Sequence, residues 1–200
     1  MESIRSFIAI ELPEALKAEI SRLQAQLKSG EQRWVKWIDP YSIHLTLKFL
    51  GNVAPDRLDD ITRVMAAAVP EIAPFTLEVR ELGVFPNLRR VQVVWVGLSG
   101  ALDRLKQLQQ NLESGLATLG FTPESRPFVP HLTLARLRDQ ATPAQRQSLG
   151  QLIAGTSFKA APEIKAESIS LMRSQLTREG AIYSQISSAR LGKPLSTKNA

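Results

Sequence analysis

The chain contains no cysteine in its 200 residues. Disulfides, thiolate metal sites and a cysteine nucleophile are therefore excluded. Histidine is nearly as scarce, with two copies, and aromatic residues make up only 6%. Long hydrophobic runs are missing too. The opening MESIRSFIAIELPE holds one short apolar run, interrupted by Glu11 and Pro13. That suits neither a signal peptide nor a membrane span. These absences lead us to expect a soluble protein of the cytoplasm. Short-period repeats and low-complexity segments are also lacking.

What is present has the balance of a globular chain, with 44% hydrophobic and 22% charged residues. This length suits one medium domain, or two lobes sharing a core. Lys and Arg number 25 against 19 for Asp and Glu, a formal charge of +6. The excess suits a polyanionic partner such as RNA, although a basic surface of the common solvated kind has the same balance.

Apolar periodicity alternates between strand and helix along the chain. Residues 6–11 read as a buried strand, and Pro13 suits the first turn of a helix. Leu16, Ile20, Leu23 and Leu27 continue that helix to a stop at Gly30. Residues 34–38 form a short aromatic strand, Asp39-Pro40 a turn, and 44–50 a strand ended by Gly51-Asn52. A helix over 55–68 shows Leu58, Ile61, Met65 and Ala68 on one face. Strands follow at 75–82 and 91–98, with 83–90 as the loop between them. Ser99-Gly100 cap a third helix striped by Leu102, Leu105, Leu108, Leu112, Leu116 and Leu119. Residues 121–130 are irregular, broken by three prolines. A strand at 131–136 precedes Thr142-Pro143-Ala144-Gln145, which resembles a capping box opening a fourth helix. Residues 157–161 suit a strand, and 167–174 with 181–187 a hairpin around 177–180. The expected architecture is α+β, with two similar antiparallel sheets and helices packed outside. One unit spans 1–190, and 191–200 is a polar, flexible tail.

Both histidines open the same four-residue word: His44-Leu45-Thr46-Leu47 and His131-Leu132-Thr133-Leu134. On a strand, residues i and i+2 share a face, roughly 6.6 Å apart. His44 and Thr46 therefore face one way, with Leu45, Leu47 and Phe49 directed into a core. His131 and Thr133 repeat the arrangement. Side by side, two such strands form a cleft with two imidazoles and two hydroxyls. Hydrolysis of a phosphodiester needs a base for the attacking water and an acid for the leaving oxygen. Two histidines meet that need near neutral pH, and two hydroxyls can hydrogen-bond the phosphoryl oxygens. No metal is required. A zinc site wants three or four ligands, and neither word holds an acidic residue. No GxSxG elbow suggests a serine hydrolase.

The stretches WIDPYSIHLTLKFLG and RPFVPHLTLAR, with RSFIAIELP, GVFPNLRRVQVVWVGL and SLMRSQLTREGAIYSQI, resemble the two-histidine phosphoesterase superfamily. Within it they are most similar to the RNA 2′,3′-cyclic phosphodiesterases, also called 2′-5′ RNA ligases. The resemblance implies a bilobal fold with a pseudo-twofold axis and both HxTx strands lining a central groove. It implies hydrolysis of RNA 2′,3′-cyclic phosphate ends to a 2′-phosphomonoester without cofactor, and reversible 2′-5′ ligation. It places catalysis on His44, Thr46, His131 and Thr133, with one histidine activating water and the other protonating O3′. Two identical words do not separate these roles, and our own assignment is His131 as base and His44 as acid.

The same resemblance makes Phe7 a base-stacking residue, sharing a strand face with Ala9 and Glu11. It makes Arg136 a phosphate or nucleotide ligand. Strict alternation puts Arg136 on the wrong face unless the strand bulges near Ala135. Arg126, Arg173 and Tyr183 are weaker substrate candidates; Trp37, Trp95 and Phe128 suit packing. Expected partners are RNA 3′ ends or nucleotides with a 2′,3′-cyclic phosphate, bound by a monomer that touches no membrane. The alternatives are a sister activity on a small cyclic nucleotide, ADP-ribose cyclic phosphate or 2′-5′ oligoadenylate, or a non-catalytic RNA-binding module.

Overall fold

Two antiparallel sheets carry the chain. The structure, a computed structural model, describes residues 3–28, 32–160, 162–177 and 180–192. In chain order the elements are β1 (Ile4–Ile10), α1 (Glu14–Leu27), β2 (Val35–Trp37), β3 (Leu45–Val53), α2 (Leu58–Ala68), β4 (Phe75–Phe85) and β5 (Val93–Gly100). Then come α3 (Leu102–Thr118), β6 (His131–Leu137), α4 (Pro143–Ala154), β7 (Ile164–Ala166), β8 (Ser168–Leu176) and β9 (Ala181–Arg190). One sheet runs β3-β1-β8-β9 and the other β2-β6-β5-β4-β7. The two histidine words thus lie on different sheets, and β3 approaches β6 where the sheets meet. Each HLTL strand is followed by a helix, as expected.

The helices are amphipathic and cover the sheets. In α1, Leu16, Ile20, Leu23 and Leu27 are buried; in α2, Ile61, Met65 and Ala68; in α3, Leu105, Leu108, Leu112 and Leu116. Burying each such side chain contributes about 1.5–3 kcal/mol. The capping box at α4 forms: Thr142 Oγ1 accepts from the Gln145 amide, and Gln145 Oε1 accepts from the Thr142 amide.

Several boundaries differ from the pattern-based expectation. β4 continues to Phe85 rather than ending before Gly83, because Val84 and Phe85 pair with Val94 and Val93. Ser99 and Gly100 belong to β5, so Ala101 stands at the start of α3 without a side-chain cap. Leu102 is 36% exposed, one turn short of the buried stripe. β3 runs through Gly51, which takes φ +72, to Val53. Residues 157–160 make a single bridge, Arg80 to Lys159, instead of a strand. The stop at Gly30, the 178–179 turn and residue 161 lie outside the described residues. So do 193–200 of the expected tail, whereas Leu191 is buried and its amide donates to the Glu167 carbonyl. No helix among the described residues is long and apolar enough to cross a membrane.

Candidate active site

A β-bulge sits at the same place in both words. In β3, Thr46 pairs with Ala9 and Lys48 with Ile8, so Leu47 has no partner in β1. In β6, Thr133 pairs with Trp95 and Ala135 with Val94, so Leu134 is skipped. The extra residue reverses the alternation beyond it. Phe49, expected in the core, is therefore 65% exposed and lies beside Phe7 at 6.2 Å. Arg136 is exposed through the same shift, which is the bulge its placement on the groove face required. Phe49 and Arg136 hold equivalent positions in the two halves. The β6 bulge is held from α1 and from the residue after β2: the Leu134 carbonyl accepts from the buried Gln24 Nε2 at 3.1 Å and from the Ile38 amide at 2.9 Å.

Both imidazoles are fixed in one manner. His44 Nδ1 lies 2.9 Å from the Ser42 carbonyl, and His131 Nδ1 lies 2.7 Å from the Val129 carbonyl. A carbonyl only accepts, so each Nδ1 carries hydrogen. Each Nε2 is left for a ligand, as an acceptor when the ring is neutral and a donor when it is cationic. Aromatic walls complete the seats. Phe7 stacks on His44 at 4.4 Å, and Tyr183 meets His44 edge-on at 5.0 Å. Phe85 meets His131 edge-on at 5.1 Å, with Trp95 at 6.3 Å. Thr46 and Thr133 are half-buried, and neither hydroxyl bonds a protein group among the described residues.

Burial pushes both imidazoles below their ordinary pKa, against the carbonyl contacts that raise it. The neighbouring charges then differ in sign. The Glu11 carboxylate favours the cation at His44, whereas the Arg136 guanidinium disfavours it at His131. Glu11 is itself bound by Ser170 Oγ at 2.7 Å, which in turn accepts from Gln185 Nε2. Burial raises the Tyr183 phenol, and Arg136 and Arg5 oppose that rise. Arg136, carried by the five-stranded sheet, thus acts on His131 and also on the tyrosine that packs against His44. This chain of groups spans the groove.

Phe7 is 3% exposed, and its ring, that of His44 and that of Tyr183 are in mutual contact. It shares the expected face, and the His44 imidazole lies against its ring. Tyr183 proves closer to His44 than its weak sequence signal suggested. Arg126 lies outside, exposed and paired with Glu124, and Arg173 stands opposite Ser6 and Ser184. Trp37 and Phe128 pack on the core, and Trp95 forms groove wall. Sequence reasoning missed Gln24, Phe85 and the electrostatic part of Glu11. Of these, only Glu11 left a signal, its strand face. No cluster of three or more His, Cys, Asp or Glu able to hold a metal occurs among the described residues.

Comparison with known proteins agrees with this geometry. The sequence matches the family described as LigT like Phosphoesterase twice in succession, over residues 10–95 and 96–183. The two matches divide the chain into halves with one HLTL word each. An RNA 2′,3′-cyclic phosphodiesterase of Methanothermobacter thermautotrophicus is 36% identical over 188 residues, covering 94% of this chain and 99% of the relative. A crystal structure of a Thermus thermophilus protein superposes with a TM-score of 0.78 at 26% identity, covering 94% of this chain and 98% of the other. Escherichia coli LigT complexed with 3′-AMP gives 0.75 at 27% identity, covering 96% and 100%.

Proposed function

Because the chain belongs to the LigT-like phosphoesterase family, we propose that it hydrolyses RNA 2′,3′-cyclic phosphate ends to 2′-phosphomonoesters without a metal. His131 Nε2 takes a proton from water, and the water oxygen attacks phosphorus. The bond from phosphorus to O3′ breaks, and His44 Nε2–H protonates O3′, leaving a 3′-hydroxyl. Thr46 and Thr133 donate to the non-bridging oxygens as charge builds on them. With a 5′-hydroxyl in place of water as the attacking group, the same forward steps would make a 2′-5′ linkage and free the 3′-hydroxyl; their reversal would cleave that linkage back to the cyclic phosphate.

The observation carrying this reading is the pair of identically seated imidazoles with opposite neighbours. Burial lowers both imidazoles; the Arg136 charge adds to that at His131, in the direction a base needs, whereas the Glu11 charge opposes it at His44, in the direction an acid needs. An oligoribonucleotide with a 2′,3′-cyclic phosphate end, incubated with the protein and EDTA, should give a 2′-phosphate. No turnover, or turnover that EDTA abolishes, contradicts the proposal; a 3′-phosphate product contradicts the leaving group.

The pH dependence has a definite sign. As pH falls through the pKa of His131 the base is protonated, and as pH rises through that of His44 the acid is lost. Both lie below 6.5 in the free protein. The profile of kcat/KM should be a bell with its maximum below about pH 6.5, since this parameter reports the free enzyme. Initial rates across acid to mildly alkaline buffers check it, and a maximum above neutrality would count against it.

A further inference from the structure

Beyond His131 the groove face of the larger sheet continues away from β6. Thr133, Trp95 and Gly83 form one cross-strand row and so face one side. A Cβ on Gly83 would fall 2.1 Å from the Trp95 ring, so glycine is what lets the indole lie across β4. Beside it lies a wide, solvent-open surface cavity of about 760 Å³, lined by Gly83, Val84, Trp95 and residues 87–90. Its far wall is the loop from β4 to β5.

That loop is anchored. Asn87 Oδ1 accepts from the amides of Arg89 and Arg90, at 3.1 Å each. The Leu88 carbonyl sits so close to Gly150 of α4 that a Cβ there would be 2.0 Å away. Arg146 of α4 donates to the Val91 carbonyl at 2.7 Å. Arg89 and Arg90 are nevertheless exposed, and neither guanidinium bonds any described residue. Arg22, Arg63, Arg80 and Arg126, by contrast, each pair with a carboxylate. Two uncompensated guanidinium groups on a fixed loop, facing an indole and Leu88, match a phosphodiester joined to a base.

We propose that this cavity is a second-nucleotide subsite, taking the nucleotide on the 5′ side of the terminal cyclic phosphate. Its base packs on Trp95 and Leu88, and its phosphodiester lies between Arg89 and Arg90. The subsite rests on the RNA hydrolase reading, and makes the protein prefer RNA chain ends to free cyclic mononucleotides.

Binding tests it without turnover. Dissociation constants are measured for a 2′-phosphorylated mononucleotide and a 2′-phosphorylated trinucleotide, with the natural protein and with Arg89→Ala/Arg90→Ala. The trinucleotide should bind at least about tenfold more tightly, as expected for hydrogen bonds to a charged group. The double variant should lose that advantage and keep the mononucleotide affinity. Its log Kd against log salt for the trinucleotide should flatten by about 0.7, the value for one phosphate contact on a single strand. If the mononucleotide binds and the longer ligand gains nothing, or if the variant weakens both alike, the subsite is wrong and the hydrolase reading stands. If neither ligand binds, both fall.

Discussion

Alanine at His131 is expected to lower kcat for cyclic-phosphate hydrolysis by about 10²–10⁴-fold, and alanine at His44 by a similar factor. Each imidazole offers one nitrogen to the groove, because a backbone carbonyl holds the other. Among the described residues, no second imidazole adjoins either position to take over the transfer. Alanine at Thr46 or Thr133 removes one hydrogen bond to a charged oxygen and should cost less, about 10–10²-fold. Because Phe7 stacks on His44, His44→Ala also opens a gap beside a core residue. Glutamine at either histidine keeps much of the volume and separates that effect from lost proton transfer. The double histidine variant should be little slower than the worse single one, since groups acting as a unit are not additive. Near-natural rates from folded single variants would make the histidines structural.

The largest effect on stability is expected away from the groove, at Glu113. Lys48 continues the first HLTL word, yet it is 8% exposed. Its Nζ donates to Glu113 Oε2 of α3 at 2.8 Å and to the Thr122 carbonyl at 2.8 Å. One ammonium thus ties β3 to α3 and to the proline-broken segment leading into the second word. Glu113→Ala leaves that ammonium buried with one neutral partner, and should destabilise the fold by about 3 kcal/mol. For a chain of this size that lowers Tm by about 6–12 °C. Lys48→Met removes the charge and keeps apolar volume, while the partly exposed Glu113 can turn to water. It should cost about 1 kcal/mol or less. Thermal unfolding of the two variants gives the order, and a smaller loss for Glu113→Ala than for Lys48→Met would refute this account of the pair.

The sequence made the helices and the two motif strands legible because their apolar periods are regular. Leu16, Ile20, Leu23 and Leu27 repeat at helical spacing, and the Thr142–Gln145 capping box is written in consecutive letters. Strict alternation failed where the backbone breaks it. The bulge at Leu47 turned Phe49 outward, and no local letter announces a bulge held by a distant partner. At Leu134 the holding group is Gln24, whose side chain crosses from α1. Phe7 lay on the expected face, but its burial depends on His44 and Tyr183 closing over it, from beside β3 and from β9. The Glu11 and Arg136 charges that distinguish two identically spelled words are likewise contacts of the folded chain.

The most direct test of the acid and base assignment replaces O3′ of the cyclic phosphate by sulfur, a leaving group that departs without a proton. On that substrate His44→Ala should recover a rate close to the natural protein, because the step His44 serves is no longer needed. His131→Ala should stay as impaired as on the oxygen substrate, since water must still be deprotonated. Recovery by His131→Ala instead, or by neither variant, would contradict the roles drawn from Glu11 beside His44 and Arg136 beside His131.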